Sequence, residues 1–432
     1  MAVLKLKNNK LKGNIKVPPS KSLSHRAIIC AALGGGKSII ENVDFSEDII
    51  ATIEAMETLG AKIIKKENNI INVWGMFNEE SKRKLVRDID CNESGSTLRF
   101  VIPISLLFNG ITKFIGKGNL GSRPLDTYFE IFEEQGIKYN NIEDGLNMIV
   151  KGNIKPGEFN IKGNISSQFV SGLLFTLPLL DGDSKINITT KMESKSYIDL
   201  TIDCMKDFGV YIENKDYKEF IIKGNQKYES RNYKLEGDYS QAAFYLVANV
   251  LGSEVGIEDL NLESLQGDKA IIGILERMGA EFYKEENIIK TRPIKELKGT
   301  IIDASNCPDI IPILALAAAL ANGKTEIINA GRLRIKECDR LKAVYSELEK
   351  LGAKIEEKEN GLLIEGVSEL KGGVDCWSFK DHRIAMTIAI ASTRCIKEIS
   401  LIDYDVVSKS YPNFFEDFKR LGGGINGINM GE

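Results

Sequence analysis

Cations, hydroxyls and a few carboxylates cluster at particular points along this 432-residue chain. Lys21, Ser22 and Arg26 form the first group, and Glu93, Ser94, Gly95, Ser96 and Thr97 the second. Arg123 follows, then Ser166, Ser167 and Gln168, then Ser194 with Lys195. Asp309, the run Lys336, Glu337 and Arg340, the triplet Asp381, His382 and Arg383, and Lys409 complete the set. Each group falls where a helix is expected to begin. A helix N-terminus carries about half a positive charge and several unpaired N–H groups, so it draws anions before any side chain is added. Arginine forks add paired bonds to carboxylate or phosphate, and lysine and serine add point contacts. Small phosphorylated and carboxylated molecules are therefore the expected guests.

Taken singly, a serine or aspartate at a helix start is a plain N-cap, and a nearby lysine or arginine is solvated surface. Arg26 and Arg383 resist that reading. Both lie in the first turn of otherwise apolar segments, where a charge needs a partner. His382 reads as an N-terminal or core histidine rather than a catalyst.

Composition narrows the field. Hydrophobic residues make up 43% and charged residues 27%, as in an ordinary globular protein. The formal net charge of −4 argues against a nucleic-acid coat or a membrane-surface protein. Two histidines, His25 and His382, cannot build a multi-His metal site, and the seven scattered cysteines lack zinc-ligand spacing. Their odd number points to a reduced, cytosolic chain without a disulfide framework. The N-terminus lacks the apolar core of a signal peptide. The longest apolar runs, near residues 101–108 and 310–321, fall short of the roughly 20 residues of a membrane span and read as buried helices. Residues 31–38 end like a phosphate-binding P-loop. But Ala31 stands where the first glycine belongs, and the stretch leads from helix into strand, so it reads as a helix C-cap turn.

The elements that must position these groups form a repeat. Gly60, Gly136, Gly209, Gly279, Gly352 and Gly422 each follow an amphipathic helix, at intervals of roughly 70 to 76 residues. Glycine just past a helix takes the left-handed conformation at little cost. A second helix recurs in step, starting at Ser24, Ser96, Ser167, Ser240, Asp309 and His382, and is apolar on nearly every face, so it is buried. Short β-like stretches fill the gaps. The expectation is an α/β fold of six β-α-β-α-β-β repeats, three to a domain. The phase of the repeat sets residues 21–235 as one inserted domain, and joins residues 1–20 to 236–432 as the other.

Eight motifs in order now stand out. They are Pro18-Pro19-Ser20-Lys21-Ser22-Leu23-Ser24-His25-Arg26, Glu93-Ser94-Gly95-Ser96-Thr97-Leu98-Arg99, Gly121-Ser122-Arg123-Pro124 and Ser166-Ser167-Gln168-Phe169. Then come Glu193-Ser194-Lys195-Ser196-Tyr197-Ile198-Asp199, Lys336-Glu337-Cys338-Asp339-Arg340-Leu341, Asp381-His382-Arg383-Ile384-Ala385-Met386 and Lys409-Ser410-Tyr411-Pro412. Across its whole length the chain resembles the enolpyruvyl transferases, and most nearly the branch acting on shikimate 3-phosphate.

The resemblance implies a two-domain inside-out α/β barrel with the active site in the interdomain cleft. It implies transfer of the enolpyruvyl group of phosphoenolpyruvate to the 5-hydroxyl of shikimate 3-phosphate, in the shikimate pathway to aromatic amino acids. Lys21, Ser22, Arg26, Ser166, Ser167, Gln168, Ser194, Asp309 and Lys336 would hold shikimate 3-phosphate. Lys21, Gly95, Arg123, Gln168, Arg340, Arg383 and Lys409 would hold phosphoenolpyruvate. Asp309 would take the hydroxyl proton, Glu337 would work at the pyruvyl methylene, and Lys21 would complete the catalytic set. No cofactor and no metal are implied, and the expected state is a cytoplasmic monomer. The chain departs from the pattern at Glu93 and Ser94, where many relatives carry Asn-Ala, and at Arg332, where Asn is common.

Two other readings stay open on sequence. One is the sister transferase acting on UDP-N-acetylglucosamine, which carries a cysteine in the loop before its Gly-x-Arg-Pro segment. Here that loop, residues 116–120, has none. The other is a non-catalytic repeat scaffold for phosphorylated ligands, which would have no use for Asp309 and Glu337 together.

Overall fold

A computed structural model describes residues 2–77, 85–141 and 146–426. Among the described residues the α-helices come in pairs, one pair to each repeat. They are α1 (Lys21–Leu33), α2 (Glu47–Thr58), α3 (Gly95–Ser105), α4 (Asp126–Gln135), α5 (Ser167–Thr176) and α6 (Lys195–Asp207). The series continues with α7 (Tyr239–Val250), α8 (Ala270–Arg277), α9 (Ile311–Ala319), α10 (Arg340–Lys350), α11 (His382–Ser392) and α12 (Phe414–Arg420). Odd-numbered helices are nearly all apolar and buried. α9 is buried at every residue, and Pro312 sits in its first turn, where a missing N–H costs nothing. Even-numbered helices are two-faced: α8 buries Ile271, Ile274 and Leu275 and exposes Ala270, Glu276 and Arg277. All six repeat glycines have positive φ, from 68° at Gly136 to 112° at Gly60.

Each repeat adds a four-stranded sheet of one pattern. Lys37–Glu41 pairs antiparallel with Ile70–Trp74 and parallel with Asn232–Lys234, while Lys62–Lys66 closes a hairpin on Ile70–Trp74. The start of the chain completes sheets formed by its second half. Lys12–Lys16 runs parallel to Glu254–Glu258, and Val3–Lys7 lies antiparallel between Ile399–Ile402 and Gly424–Asn426. The chain divides into two compact units: an inserted unit, Pro19–Glu236, and a flanking unit, Met1–Pro18 with Gly237–Glu432. In the inserted unit α3 packs on α5, and in the flanking unit α9 packs on both α7 and α11. A buried Leu314→Ala cavity in α9 would cost about 2–5 kcal/mol.

Several helix starts differ from expectation. α1 begins at Lys21, with Ser20 as cap, rather than at Ser24, and α3 at Gly95 rather than Ser96. α7 begins at Tyr239, because Asp238 accepts from the N–H groups of Ser240 and Gln241. Asp309 lies on a 3₁₀ turn, Pro308–Ile310, that leads into α9. Arg123 and Lys409 are not at α-helix starts. Arg123 follows the 3₁₀ turn Gly118–Ser122 in extended conformation, as the residue before Pro124 prefers, and Lys409 ends the 3₁₀ turn Tyr404–Lys409.

Candidate active site

In the inserted unit the first turn of α1 presents Lys21 and Ser22, and the next turn presents Arg26. Lys21 Nζ lies 2.9 Å from Asp48 Oδ2 on α2. Arg26 is buried and donates to Thr201 Oγ1 at 2.8 Å, to the Ser22 carbonyl at 2.6 Å and to the Tyr197 carbonyl at 2.9 Å. Burial pushes its guanidinium down to about 10. His25, beside it, is held neutral by burial and by the charges of Lys21 and Arg26. Its Nδ1 meets Thr52 Oγ1 at 2.7 Å, and hydroxyl contacts continue through Thr97 to Ser94, the cap of α3.

Gly95 opens α3 for a steric reason. A Cβ there would stand 2.4 Å from Arg123 Nη1 and 3.2 Å from Arg99 Nη1, so two guanidinium groups approach this helix end only because the residue is glycine. Arg99 donates to Gln168 Oε1 at 2.8 Å, and Gln168 Nε2 donates to Ser96 Oγ at 2.9 Å. Both ends of the Gln168 amide are thereby oriented. Ser166 caps α5 and Ser167 begins it. Ser194 precedes α6 at φ 53°, ψ 44°, a left-handed conformation uncommon for serine.

In the flanking unit the groups are ionic and close. Asp309 Oδ1 lies 2.9 Å from Arg340 Nη1 and 3.3 Å from Lys336 Nζ, and Oδ2 lies 3.2 Å from Arg383 Nη2. Arg340, 1% exposed, also meets Glu337 Oε2 at 2.7 Å and Asp381 Oδ2 at 2.7 Å. Burial opposes its charge, but Asp381, Glu337 and Asp309 outweigh burial and raise its pKa. Burial lowers the Lys336 ammonium in spite of Asp309. Asp381, fully buried, caps α11 by accepting from the Arg383 N–H at 2.8 Å. Arg383 is 3% exposed, and its Nε and Nη1 meet no acceptor among the described residues. Lys409 Nζ donates to the Lys380 carbonyl at 3.1 Å.

The structure thus joins Asp309, Lys336, Glu337, Arg340 and Arg383 in one cluster, and Ser96, Gly95, Arg123 and Gln168 around the start of α3. Sequence reasoning gave no role to Arg99 or to Asp381 as the anchor of Arg340. The signal for Arg99 was available, since it is a charge one turn into an apolar helix, as Arg26 is. Asp381 carried no such signal, because an N-cap aspartate looks the same whether or not it also binds an arginine.

A six-repeat α/β chain with arginines and lysines turned into its buried helix starts has the architecture of the enolpyruvyl transferases. It superposes on an EPSP synthase from Acinetobacter baumannii with TM-score 0.79, at 24% identity over 98% of this chain and 99% of that one. It superposes on the enolpyruvyl transferase NikO from Streptomyces tendae with TM-score 0.76, at 18% identity and 98% coverage of both. Within that class the sequence is specific. The model of the family EPSP synthase (3-phosphoshikimate 1-carboxyvinyltransferase) matches residues 6–418. The 3-phosphoshikimate 1-carboxyvinyltransferases of Clostridium beijerinckii and Clostridioides difficile are 62% and 60% identical, each over 100% of both chains. The chain belongs to the EPSP synthase family.

Proposed function

We propose that the two clusters divide the work of the family reaction. The chain transfers the enolpyruvyl group of phosphoenolpyruvate to the 5-hydroxyl of shikimate 3-phosphate and releases phosphate, a step of the shikimate pathway. Lys21, Ser22, Arg26, Ser166, Ser167, Gln168, Ser194 and Lys336 hold the sugar phosphate. Lys21, Gly95, Arg123, Gln168, Arg340, Arg383 and Lys409 hold phosphoenolpyruvate. The hydroxyl must lose a proton as it attacks C2, and Asp309 accepts it. C3 must gain a proton and later return one, and Glu337 serves there. The resulting tetrahedral intermediate expels phosphate, whose charge is met by fixed cations.

One observation carries this reading: a carboxylate, Asp309, held among Lys336, Arg340 and Arg383, with two buried Arg383 donors still open to an anion. A scaffold that only bound phosphates would gain nothing from placing a proton acceptor among its cations. Incubation with shikimate 3-phosphate and phosphoenolpyruvate, without added metal, should release phosphate. Release with UDP-N-acetylglucosamine in place of shikimate 3-phosphate would overturn the substrate assignment. On the same reading the chain acts as a cytoplasmic monomer, which sedimentation tests for the oligomeric state.

A further inference from the structure

Asp268 lies on a 3₁₀ turn, Gly267–Lys269, just before α8, and is 3% exposed. One carboxyl oxygen meets the Ser240 hydroxyl, and the other, Oδ1, has no hydrogen-bond partner among the described residues. The Asp268 turn packs against the turn Pro308–Ile310 and its carboxyl meets Ser240 of α7; the titratable and charged groups whose fields couple with it are Asp238, the cap of α7, Asp309 and Cys307 before α9, and Arg383 on α11. Lys269, on its own turn, instead donates to the carbonyls of Leu262 and Ser264. So, among the described residues, a buried carboxyl with an unused oxygen shares its surroundings with two other carboxylates and one guanidinium, and that guanidinium keeps two buried donors without an acceptor.

We propose that Asp268 is a positioning residue for anion binding at Arg383: its carboxyl takes up a proton when an anion docks on the guanidinium and returns it when the anion leaves. The physical cause is charge balance. Arg383 is the cation whose field couples with Asp268, and an arriving anion neutralises it while Asp309 and Asp238 remain. Added negative charge at short range favours the neutral form of a buried carboxyl. Burial first, then Asp309, already pushes Asp268 up to about 7, so a small change in field moves its proton near neutrality. A proton on Oδ1 leaves Oδ2 to accept from the Ser240 hydroxyl.

The inference rests on Arg383 holding phosphoenolpyruvate, and its test separates the two. Phosphoenolpyruvate KM is measured from pH 6 to 9 in the wild type, Asp268→Asn and Ser240→Ala. Titration of phosphoenolpyruvate itself is common to all three and cancels in the comparison. In the wild type, affinity falls as pH rises through the Asp268 range, because the proton to be taken up grows scarce. Asp268→Asn, a fixed stand-in for the protonated form, flattens that fall and binds several-fold better than wild type at pH 9. Ser240→Ala, which removes a bond favouring the charged form, moves the fall to higher pH, and it keeps the test alive should the asparagine variant not fold. Equal pH slopes in all folded variants overturn the inference. Arg383→Ala with unchanged phosphoenolpyruvate KM overturns the underlying reading instead.

Discussion

The two units fix their buried arginines by opposite means. In the inserted unit Arg26 is tethered by a hydroxyl and two backbone carbonyls, all neutral acceptors. In the flanking unit Arg340 is tethered by Asp309, Glu337 and Asp381, and Arg383 by Asp309. The electrostatic results differ in sign: burial lowers Arg26, while nearby carboxylates raise Arg340 and Arg383 against burial. A cation held by neutral groups keeps its full charge for a ligand, which suits the holding of a phosphate or carboxylate. A cation held by carboxylates spends part of its field on the protein, but it fixes those carboxylates where a proton can be taken or given. Among the buried arginines described, Arg26 shows the neutral kind of tether and Arg340 and Arg383 the carboxylate kind.

The comparison is most exposed at Asp309. Asp309→Ala should lower kcat by about 100- to 10,000-fold, the usual worth of a positioned acid–base group, while KM for phosphoenolpyruvate changes little. Steady-state kinetics that show kcat intact would remove Asp309 as the acceptor of the hydroxyl proton. Next in size is Arg340→Ala. It strips the partner from fully buried Asp381 and from Glu337, so urea titration should show a loss of about 3–5 kcal/mol. An undiminished midpoint would mean that the carboxylate tethers contribute nothing to the fold.

Gly95→Ala should act through the inserted unit alone. The new Cβ displaces Arg123 and crowds Arg99, so phosphoenolpyruvate KM should rise by tenfold or so with a smaller change in kcat, about 1.4 kcal/mol of binding. A matching loss in kcat would show that Arg123 serves the chemical step as well. The smallest effect is expected at Ser194→Gly. Glycine relieves the left-handed backbone by about 1 kcal/mol, while loss of the hydroxyl weakens shikimate 3-phosphate. A thermal melt that falls, or an unaltered shikimate 3-phosphate KM, would contradict it.

Stability against pH offers one more contrast. Asp268 is raised in the folded state, so its contribution is fully present below the ordinary carboxylate range and is lost as pH rises toward about 7. Wild type should therefore lose stability across that window relative to Asp268→Asn, as denaturant midpoints at pH 5 and 8 would show.

Some of this was written in the linear sequence and some was not. The spacing of Gly60, Gly136, Gly209, Gly279, Gly352 and Gly422 determined the six-repeat α/β fold, because a helix needs a left-handed exit and glycine supplies it cheaply. The apolar run in α9 determined its burial, since no face of it could meet water. The helix starts pointed to candidate anion-binding residues, because capping spans only two or three residues, although Arg123 and Lys409 lie at 3₁₀ turns instead. Partnerships across the chain were decided elsewhere. Arg340 with Asp381, Arg99 with Gln168, and Asp268 among Asp309 and Arg383 each join residues tens of positions apart or more. No local pattern encodes which buried charge finds which. That choice belongs to the packed repeats, where leaving a charge unpaired costs several kcal/mol and the nearest opposite group is set by how the helices dock.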